Sequence, residues 1–275
     1  MSPNRFPDWE SFEFPEGGAG DEPVAMCADL SPESVLAAYR RGIVPLPAAD
    51  EFFSSFNEIR YEDQVESGAL PVVGDGGDPY RAAWYSPDPR LLVGADGVHL
   101  GRNVRKRLRH DGLTTTANTA FTRVAEACRE GREPRWLTDE LLGSLVTLHA
   151  AGWAHSIEVW LDDQLVGGAI GVGLSGLLSG DSLFGWHPGS AAVAVADMRA
   201  RLLAAGGGVI DAQWDSPFLR LLGAVPVDRK RYLALLDRPD QRVTLLGDPL
   251  PARRLLGPQL HRVQVGDSHR SRRRK

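Results

Sequence analysis

A change in hydrophobic periodicity near residue 153 constrains the fold of this chain more than any other feature. Before it, apolar residues recur at helical spacing over 118–130 and 138–151. After it, apolar and polar residues alternate cleanly over 155–161, which is typical of a strand, and 164–172 and 177–184 are predicted to be two more strands after the Asp162-Asp163 turn. The sequence therefore predicts two helices followed by an antiparallel meander of three strands.

The segment after the meander predicts how the strands are covered. A long helix over 190–205 ends at a run of glycines and precedes a buried strand, 208–214, a short helix, 218–223, and a last structured segment, 229–236. Three antiparallel strands, a long helix and a returning strand form the core order of the acetyltransferase-like fold. We therefore predict an α+β protein whose C-terminal domain, residues 99–240, is acetyltransferase-like (GNAT-like) with a mixed or antiparallel sheet.

The N-terminal part is expected to be a smaller helical or mixed domain over residues 1–98. Its clearest helix runs from Ser31, a favourable N-cap residue, to Arg41. Residues 46–80 are acidic and rich in turn formers, which predicts a long surface loop or insertion. Residues 241–275 are expected to form a weakly ordered basic tail.

Charge is unevenly distributed along the chain. There are 31 Lys and Arg residues against 36 Asp and Glu, a net charge of −5, and five of the cations lie in the last six residues. The net charge therefore does not indicate that the protein binds nucleic acid. A nucleic-acid partner would have to bind at a local basic patch. A basic run at 101–110 offers such a patch, although charge runs are usually only solvated faces.

Composition excludes several classes of protein. No apolar run approaches the roughly 20 residues of a membrane helix, and the N-terminus lacks the apolar core of a secretion signal. Cys27 and Cys128 are too few for a disulfide framework, and we expect both to be buried hydrophobic side chains. His149 and His155 are separated by a glycine bend, which is a poor metal spacing. We therefore expect a cytoplasmic protein without a metal site.

Several sequence blocks occur in a characteristic order. They are DLSPESVLAAYRRGIVP (29–45), YSPDPR (85–90), the basic run with His99-Leu100, RWLTDEL (135–141), LHAAGWAHSIEVWLDDQLVGGAIGV (148–172), GDSLF (180–184) and VIDAQ (209–213). Together they resemble leucyl/phenylalanyl-tRNA–protein transferases. The resemblance implies transfer of a hydrophobic amino acid (leucine, phenylalanine or methionine) from charged tRNA to the N-terminal Lys or Arg of an acceptor protein, which tags that protein for degradation. It also implies a monomer that needs no metal or organic cofactor.

Aminoacyl transfer requires a neutral amine to attack an ester, so the site needs a base or polar relay. Asp211 and Gln213 are two residues apart on a predicted buried strand and should point to the same face. The resemblance implies that Asp211 is the base or electrostatic partner and that Gln213 is the relay that contacts the amine. It implies a catalytic role for Asp181 too, at a position where the family usually has glutamate. The structural alternatives are a helix cap for Asp211 and a turn residue for Asp181.

The resemblance implies two further groups of residues. The aminoacyl pocket is expected at Ala169, Leu178, Val195, Met198 and Ile210. Adenosine and tRNA contacts are expected at Trp136, Tyr39, Arg102, Arg105, Lys106 and Arg109. Ordinary core packing is the alternative for the apolar and aromatic residues. The family commonly has larger residues at the positions of Ala169 and Leu178. We therefore expect a larger pocket, which does not by itself select between leucine and phenylalanine.

Some substrate-facing positions depart from the family pattern. Leu46 stands where the family has an aromatic residue, and GWHPGSAA (185–192) replaces a polar stretch that includes a lysine. These departures leave two alternatives open, namely transfer to a small-molecule amine and a non-catalytic relative that binds tRNA or peptide. A coenzyme A-dependent acyltransferase shares the predicted sheet order, but HPGSAA lacks the spacing of a pyrophosphate-binding loop.

Overall fold

The computed structural model describes residues 7–15, 20–94, 97–237 and 242–257. Within these ranges the strands form two sheets, a smaller one of three strands and a larger one of eight. The smaller sheet consists of β1 (Pro23–Met26), β2 (Val44–Pro47) and β3 (Ala82–Tyr85), with β3 in the middle. Both of its strand pairs are antiparallel.

The larger sheet contains the predicted meander. Its strands are β4 (Arg90–Val93), β5 (Thr114–Ala117), β6 (Ala154–Leu161), β7 (Gln164–Leu174), β8 (Leu177–Gly185), β9 (Val209–Asp211), β10 (Val225–Val227) and β11 (Leu250–Pro251). Their order is β10-β4-β9-β8-β7-β6-β5-β11. β8 and β9 are parallel and the other described neighbours are antiparallel, so the predicted α+β class and mixed sheet are confirmed. β4, which falls within the predicted N-terminal domain, is hydrogen-bonded to β9.

The α-helices in the described part of the chain are α1 (Pro32–Arg40), α2 (Glu51–Glu66), α3 (Arg102–His110), α4 (Phe121–Arg129), α5 (Asp139–Ala150), α6 (Ser190–Ala204), α7 (Pro217–Leu221) and α8 (Arg229–Leu236). Five of these eight, α1, α2, α5, α7 and α8, begin at a capping side chain. Ser31 Oγ accepts a hydrogen bond from the backbone N–H of Ser34 at 3.3 Å, and Thr138 Oγ1 accepts one from Leu141 at 3.3 Å. Such caps contribute about 1 kcal/mol each and define the predicted starts of α1 and α5.

Helices cover both faces of the central strands. α6 connects β8 to β9 and packs against β6, β7 and β8. α4 also packs against β7, but on the face that carries Ile170 and Val172, whereas Ala169 belongs to the apolar cluster under α6. Because both faces are buried, β7 is apolar along most of its length instead of alternating with charged residues.

Residues 51–66 form α2, so the prediction of a surface loop over 46–80 was wrong for this part. Asp50 caps the helix by accepting a hydrogen bond from the backbone N–H of Phe53 at 3.1 Å. Tyr61 is buried, but Phe52 and Ile59 are exposed. The apolar residues therefore do not form one buried stripe, which is the pattern that identifies a helix in a sequence.

The prediction of a weakly ordered tail was wrong for residues 250–256. Leu250–Pro251 forms β11 against β5, and the 3-10 helix Ala252–Leu256 buries Ala252 and Leu255. Arg254 also forms an ion pair with the buried Asp197. Two buried apolar residues, the pairing with β5 and one ion pair fix this short segment, and none of these contacts is visible in the local sequence LPARRLL. The cations at 270–275 lie outside the described residues.

Cys27 and Cys128 are free, buried thiols, as predicted. Burial raises the pKa of each to about 12, so neither is a nucleophile at neutral pH. None of the helices in the described part of the chain is long and apolar enough to cross a membrane.

Candidate active site

Asp181 lies at a β-bulge near the middle of the larger sheet. Ile170 of β7 pairs with Ser182 of β8, but Gly171 pairs with Gly180, so Asp181 has no partner on β7. A bulge leaves one residue outside the ladder and changes the direction of its side chain. The only local sign of the bulge is Gly180, since a glycine inside a strand often marks one.

One oxygen of the Asp181 carboxylate is hydrogen-bonded and the other is not. Oδ1 accepts hydrogen bonds from the Tyr39 hydroxyl at 2.9 Å and from Nε2 of Gln213 at 2.8 Å. Oδ2 is buried and has no hydrogen-bond partner among the described residues. Burial raises the pKa of Asp181 to about 8, with a further contribution from the charge of Asp211. The group can therefore exchange a proton near neutral pH.

Asp211 is held by a buried arginine. Nε of Arg90 donates to Oδ1 of Asp211 at 3.0 Å and Nη2 donates to Oδ2 at 2.9 Å, and neither side chain is exposed. Arg90 also donates to the Gly42 carbonyl at 2.8 Å and lies over the ring of Tyr232 at 4.2 Å. Burial alone would lower the pKa of Arg90, but the charge of Asp211 raises it above its ordinary value. Asp211 is thus engaged in an internal ion pair.

Gln213 lies beyond the end of its strand. β9 ends at Asp211, and Gln213 has a φ of 61°, in the left-handed region that few non-glycine residues adopt. Its backbone N–H donates to Oδ1 of Asp211 at 2.8 Å, which stabilises this conformation. Its Nε2 donates to Ser179 Oγ at 3.0 Å as well as to Asp181. The prediction that Gln213 continues the strand of Asp211 was therefore wrong, because its left-handed backbone ends the strand. The two side chains nevertheless converge, since both are hydrogen-bonded to Ser179 Oγ.

Two cavities meet at Asp181. The larger has a volume of about 400 Å³, and its walls include four residues predicted for the aminoacyl pocket, Ala169, Val195, Met198 and Ile210. The smaller has a volume of about 230 Å³, and its walls include Tyr39, Trp136 and Gln213. Asp181 and Arg132 line both. A mainly apolar cavity thus adjoins a smaller one with aromatic and amide side chains.

The remaining predicted residues lie away from this junction. Leu178 is fully buried, pairs with Ile210 in the strand register, and lines neither cavity. The predicted cations Arg102, Arg105, Lys106 and Arg109 are all exposed on α3, and they too line neither cavity. The predicted site residues therefore form one group around Asp181 and a second group on α3.

Three residues at the site were missed by sequence reasoning. Arg90 follows an Asp-Pro pair and begins β4, a position that gives no sign of complete burial. Ser179 lies opposite Asp211 in the β8–β9 register and donates from Oγ to Oδ2 of Asp211 at 3.3 Å. Arg132 lies in an irregular segment and donates to the Leu183 carbonyl at 2.8 Å. Only strand pairing brings Arg90 and Ser179 to Asp211, so no local pattern identifies them.

The Asp181 carboxyl group is expected to titrate near pH 8 in the free protein, far above an exposed aspartate. Because the unfolded carboxyl loses its proton near pH 4, the stability that this group contributes is complete below that pH and is lost as the pH rises to about 8. Carbon-13 NMR of aspartate carboxyl groups measures the titration, and Asp181→Asn assigns the signal. A midpoint below pH 5 would contradict the burial described here.

Comparisons with known proteins identify the family. A family model described as leucyl/phenylalanyl-tRNA protein transferase matches residues 92–237, which include Asp181, Asp211 and Gln213. A leucyl/phenylalanyl-tRNA–protein transferase from Myxococcus xanthus (strain DK1622) is 34% identical over 242 residues, or 86% of this chain and 91% of that protein. Proteins with the same name from Novosphingobium aromaticivorans and Azoarcus sp. (strain BH72) are 34% and 36% identical over 82% and 76% of this chain, and over 76% and 78% of their own lengths. The resemblance of the sequence blocks is therefore confirmed, and the chain belongs to the leucyl/phenylalanyl-tRNA–protein transferase family.

Proposed function

We propose that this protein transfers leucine or phenylalanine from charged tRNA to the N-terminal residue of an acceptor protein. The observation that carries the proposal is the Oδ2 atom of Asp181, which is buried, lacks a hydrogen-bond partner among the described residues and belongs to a residue that lines two cavities. An aminoacyl ester whose side chain lies in the larger cavity and whose adenosine lies in the smaller one places its carbonyl group where the two cavities meet, beside this oxygen. The names of the relatives state the same donor and the same class of acceptor.

In this reaction the α-amino nitrogen of the acceptor attacks the ester carbonyl carbon. A C–N bond forms, the C–O bond to the tRNA ribose breaks, and the ribose oxygen takes up the proton that the amine releases. Asp181 suits the role of holding the amine and accepting its proton, because its Oδ2 is not committed to another described group. Gln213 holds Oδ1 of Asp181 from one side while Tyr39 holds it from the other.

Asp211 is proposed to act through position and charge instead of as the base. Its carboxylate is occupied by Arg90, and it anchors the backbone of Gln213 in the left-handed conformation. This arrangement supports the electrostatic role expected from the resemblance. Asp211 is then a positioning residue, and Asp181 and Gln213 are the groups that face the reacting amine.

The larger cavity is proposed to hold the transferred amino acid side chain. Its volume of about 400 Å³ and its apolar lining suit a hydrophobic group. Ala169 projects only a methyl group into a wall where the family commonly has a larger side chain, which leaves room for leucine, phenylalanine or methionine.

Replacing Ala169 with leucine is expected to reduce transfer of phenylalanine about tenfold or more relative to leucine, because the added carbons occupy space that the larger ring needs. The measurement is the ratio of kcat/KM for phenylalanyl-tRNA to kcat/KM for leucyl-tRNA. Ala151→Leu is the matched control, since Ala151 is exposed and lines neither cavity at Asp181. An unchanged ratio in Ala169→Leu would remove Ala169 from the pocket.

The tRNA is proposed to bind through the aromatic residues of the smaller cavity and through the exposed cations of α3. Tyr39 and Trp136, in the smaller cavity, suit the terminal adenosine. The exposed cations of α3 suit phosphates of the acceptor stem. α3 packs against α6, whose residues Val195 and Met198 line the larger cavity, so the basic helix and the cavity share one supporting element.

Arg105→Ala and Lys106→Ala are each expected to weaken tRNA binding and to reduce the slope of log affinity against log salt by about one. Each variant removes one phosphate contact and leaves the fold intact, because both side chains are exposed. The measurement is the Kd for tRNA at several salt concentrations. Lys230→Ala on α8 is the control, and an Arg105→Ala slope equal to that of this control would exclude α3 from the interface.

We further infer that the acceptor begins with Lys or Arg and that the modification marks it for degradation in the cytoplasm. The order β6-β7-β8-α6-β9 supports an acetyltransferase-like fold for residues 99–240, preceded by a separate N-terminal domain. Because β4 is hydrogen-bonded to β9, we infer that the boundary between the domains lies before Arg90, earlier than residue 98.

The direct test supplies the purified protein with leucyl-, phenylalanyl- or methionyl-tRNA carrying a labelled amino acid, together with a peptide that begins with arginine. Label is expected on the peptide, and acetylating the peptide N-terminus is expected to prevent its transfer. Label on a small-molecule amine alone would indicate a different acceptor. Binding of charged tRNA without any transfer would indicate a non-catalytic relative, and neither binding nor transfer would refute the proposal.

A further inference from the structure

Trp186 borders a third concave site, distinct from the two cavities at Asp181. The residue lies in the turn between β8 and α6 and is 59% exposed. It contacts Phe184, with the ring centroids 4.7 Å apart, and lines a groove of about 480 Å³. We name this the Trp186 groove; Thr122, Arg123, Arg129, Arg135 and Leu165 are among its other lining residues. A large aromatic ring held at the edge of a groove is available for stacking on a ligand.

The charges around the Trp186 groove favour an anionic ligand. Arg123 and Arg135 are exposed and form no ion pair with another described residue. Arg129 is already paired with Glu126 and Asp139. Glu130 is the carboxylate on the rim that has no such partner among the described residues. The Arg123 guanidinium lies over the Trp160 ring at 5.3 Å but has no carboxylate partner there, so two guanidinium groups without an ion pair face one such carboxylate.

One end of the groove adjoins the basic helix α3. His187, the residue after Trp186, contacts Asp111 at 2.9 Å, and Asp111 is the C-cap residue of α3. Gly189, two residues further on, packs beside Val104 of α3 so closely that a Cβ atom there would lie 3.2 Å from it. The turn that carries Trp186 is therefore fixed against the helix proposed to bind tRNA phosphates.

The other end of the groove adjoins the reaction site. The segment 130–136 contributes Glu130 and Arg135 to the groove, and it contributes Arg132 and Trp136 to the cavities at Asp181. Along β8, Trp186 is five residues from Asp181, a span of roughly 16 Å at the rise of a strand. A few unpaired nucleotides can bridge such a span.

We propose that Trp186 stacks on an unpaired nucleobase of the tRNA acceptor end, upstream of the terminal adenosine, while Arg123 and Arg135 contact the neighbouring phosphates. Stacking on an aromatic ring is tolerant of sequence because every base has a π-face. The cationic N-terminus of the acceptor is a poor occupant, since the available guanidinium groups repel it. The inference rests on the proposed function, because it takes charged tRNA as the donor.

The test compares Trp186→Ala and Trp186→Phe with the wild type in the transfer assay. Trp186→Ala is expected to raise the KM for charged tRNA about tenfold, with little change in kcat or in the KM for the peptide. Trp186→Phe keeps a stacking ring and is expected to recover most of the affinity. Phe52→Ala is the matched control, because Phe52 is an exposed aromatic residue on α2 and does not line the groove.

Binding of an RNA oligonucleotide that ends in CCA provides a second measurement, independent of activity. Weaker binding by Trp186→Ala, with recovery in Trp186→Phe, supports the inference. If the wild type transfers label while Trp186→Ala has an unchanged KM for tRNA, or a raised KM only for the peptide, the inference is wrong and the proposed function stands. If the wild type transfers nothing, the proposed function fails, and unchanged oligonucleotide binding by Trp186→Ala then overturns the nucleobase contact as well.

Discussion

Replacing Asp181 with asparagine is expected to lower kcat/KM for aminoacyl transfer by about 10²- to 10⁴-fold. Asparagine has the same size and its carbonyl can accept the hydrogen bonds from Tyr39 and Gln213, so the fold and the cavities are preserved. The variant cannot take a proton from the amine or carry a negative charge beside it. The measurement is the initial rate of label transfer to the arginine peptide at several peptide concentrations.

Asp181→Glu is the matched control for this prediction. It keeps a carboxylate at this position, on an arm one methylene longer. We expect it to retain far more activity than the asparagine variant, with the remaining loss reflecting a displaced carboxylate. Wild-type kcat/KM in Asp181→Asn would show that the unpartnered oxygen has no part in the reaction.

Replacing Arg90 with methionine is expected to reduce the free energy of unfolding by about 3–5 kcal/mol. The substitution leaves the Asp211 carboxylate buried without its counter-charge, because both side chains are completely inaccessible to solvent. It also removes the hydrogen bond to the Gly42 carbonyl. Urea unfolding followed by circular dichroism measures the change, and a loss below about 1 kcal/mol would contradict the internal ion pair.

The double variant Arg90→Met/Asp211→Leu separates the effect of this ion pair on stability from its effect on activity. Removing both charges eliminates the unpaired group, so we expect most of the lost stability to return. Activity is not expected to return, because Gln213 has lost the carboxylate that anchors its backbone N–H. A stable and fully active double variant would show that Asp211 does not position Gln213.

The helices and the meander could be predicted from the sequence because their signals are local. Alternation of side chains identifies β6, short apolar runs after turn residues identify β7 and β8, and capping side chains identify the first residues of α1 and α5. α2 could not be predicted in the same way. Its stability comes from a cap and a few contacts to neighbouring segments, including the hydrogen bond from Nδ2 of Asn57 to the Tyr80 carbonyl, and not from an apolar stripe.

The candidate site was predicted in part. The resemblance of sequence blocks pointed to Asp181, Asp211 and Gln213, and the structure brings these three together. It did not indicate that Asp211 is neutralised by Arg90, which lies 121 positions away in the chain. It did not indicate the bulge that takes Asp181 out of the β7–β8 ladder either, because one glycine is too weak a signal.

The sequence by itself determined the α+β class, the order of the central elements and the family, because these depend on periodicity and on blocks of adjacent residues. Only the tertiary structure decided which oxygen of Asp181 has no hydrogen-bond partner among the described residues and where the two cavities meet. It also decided that Asp211 forms a buried ion pair with Arg90. Those properties depend on strand register and on complete burial of charges from distant segments. Hydrophobic spacing along one segment carries no information about either.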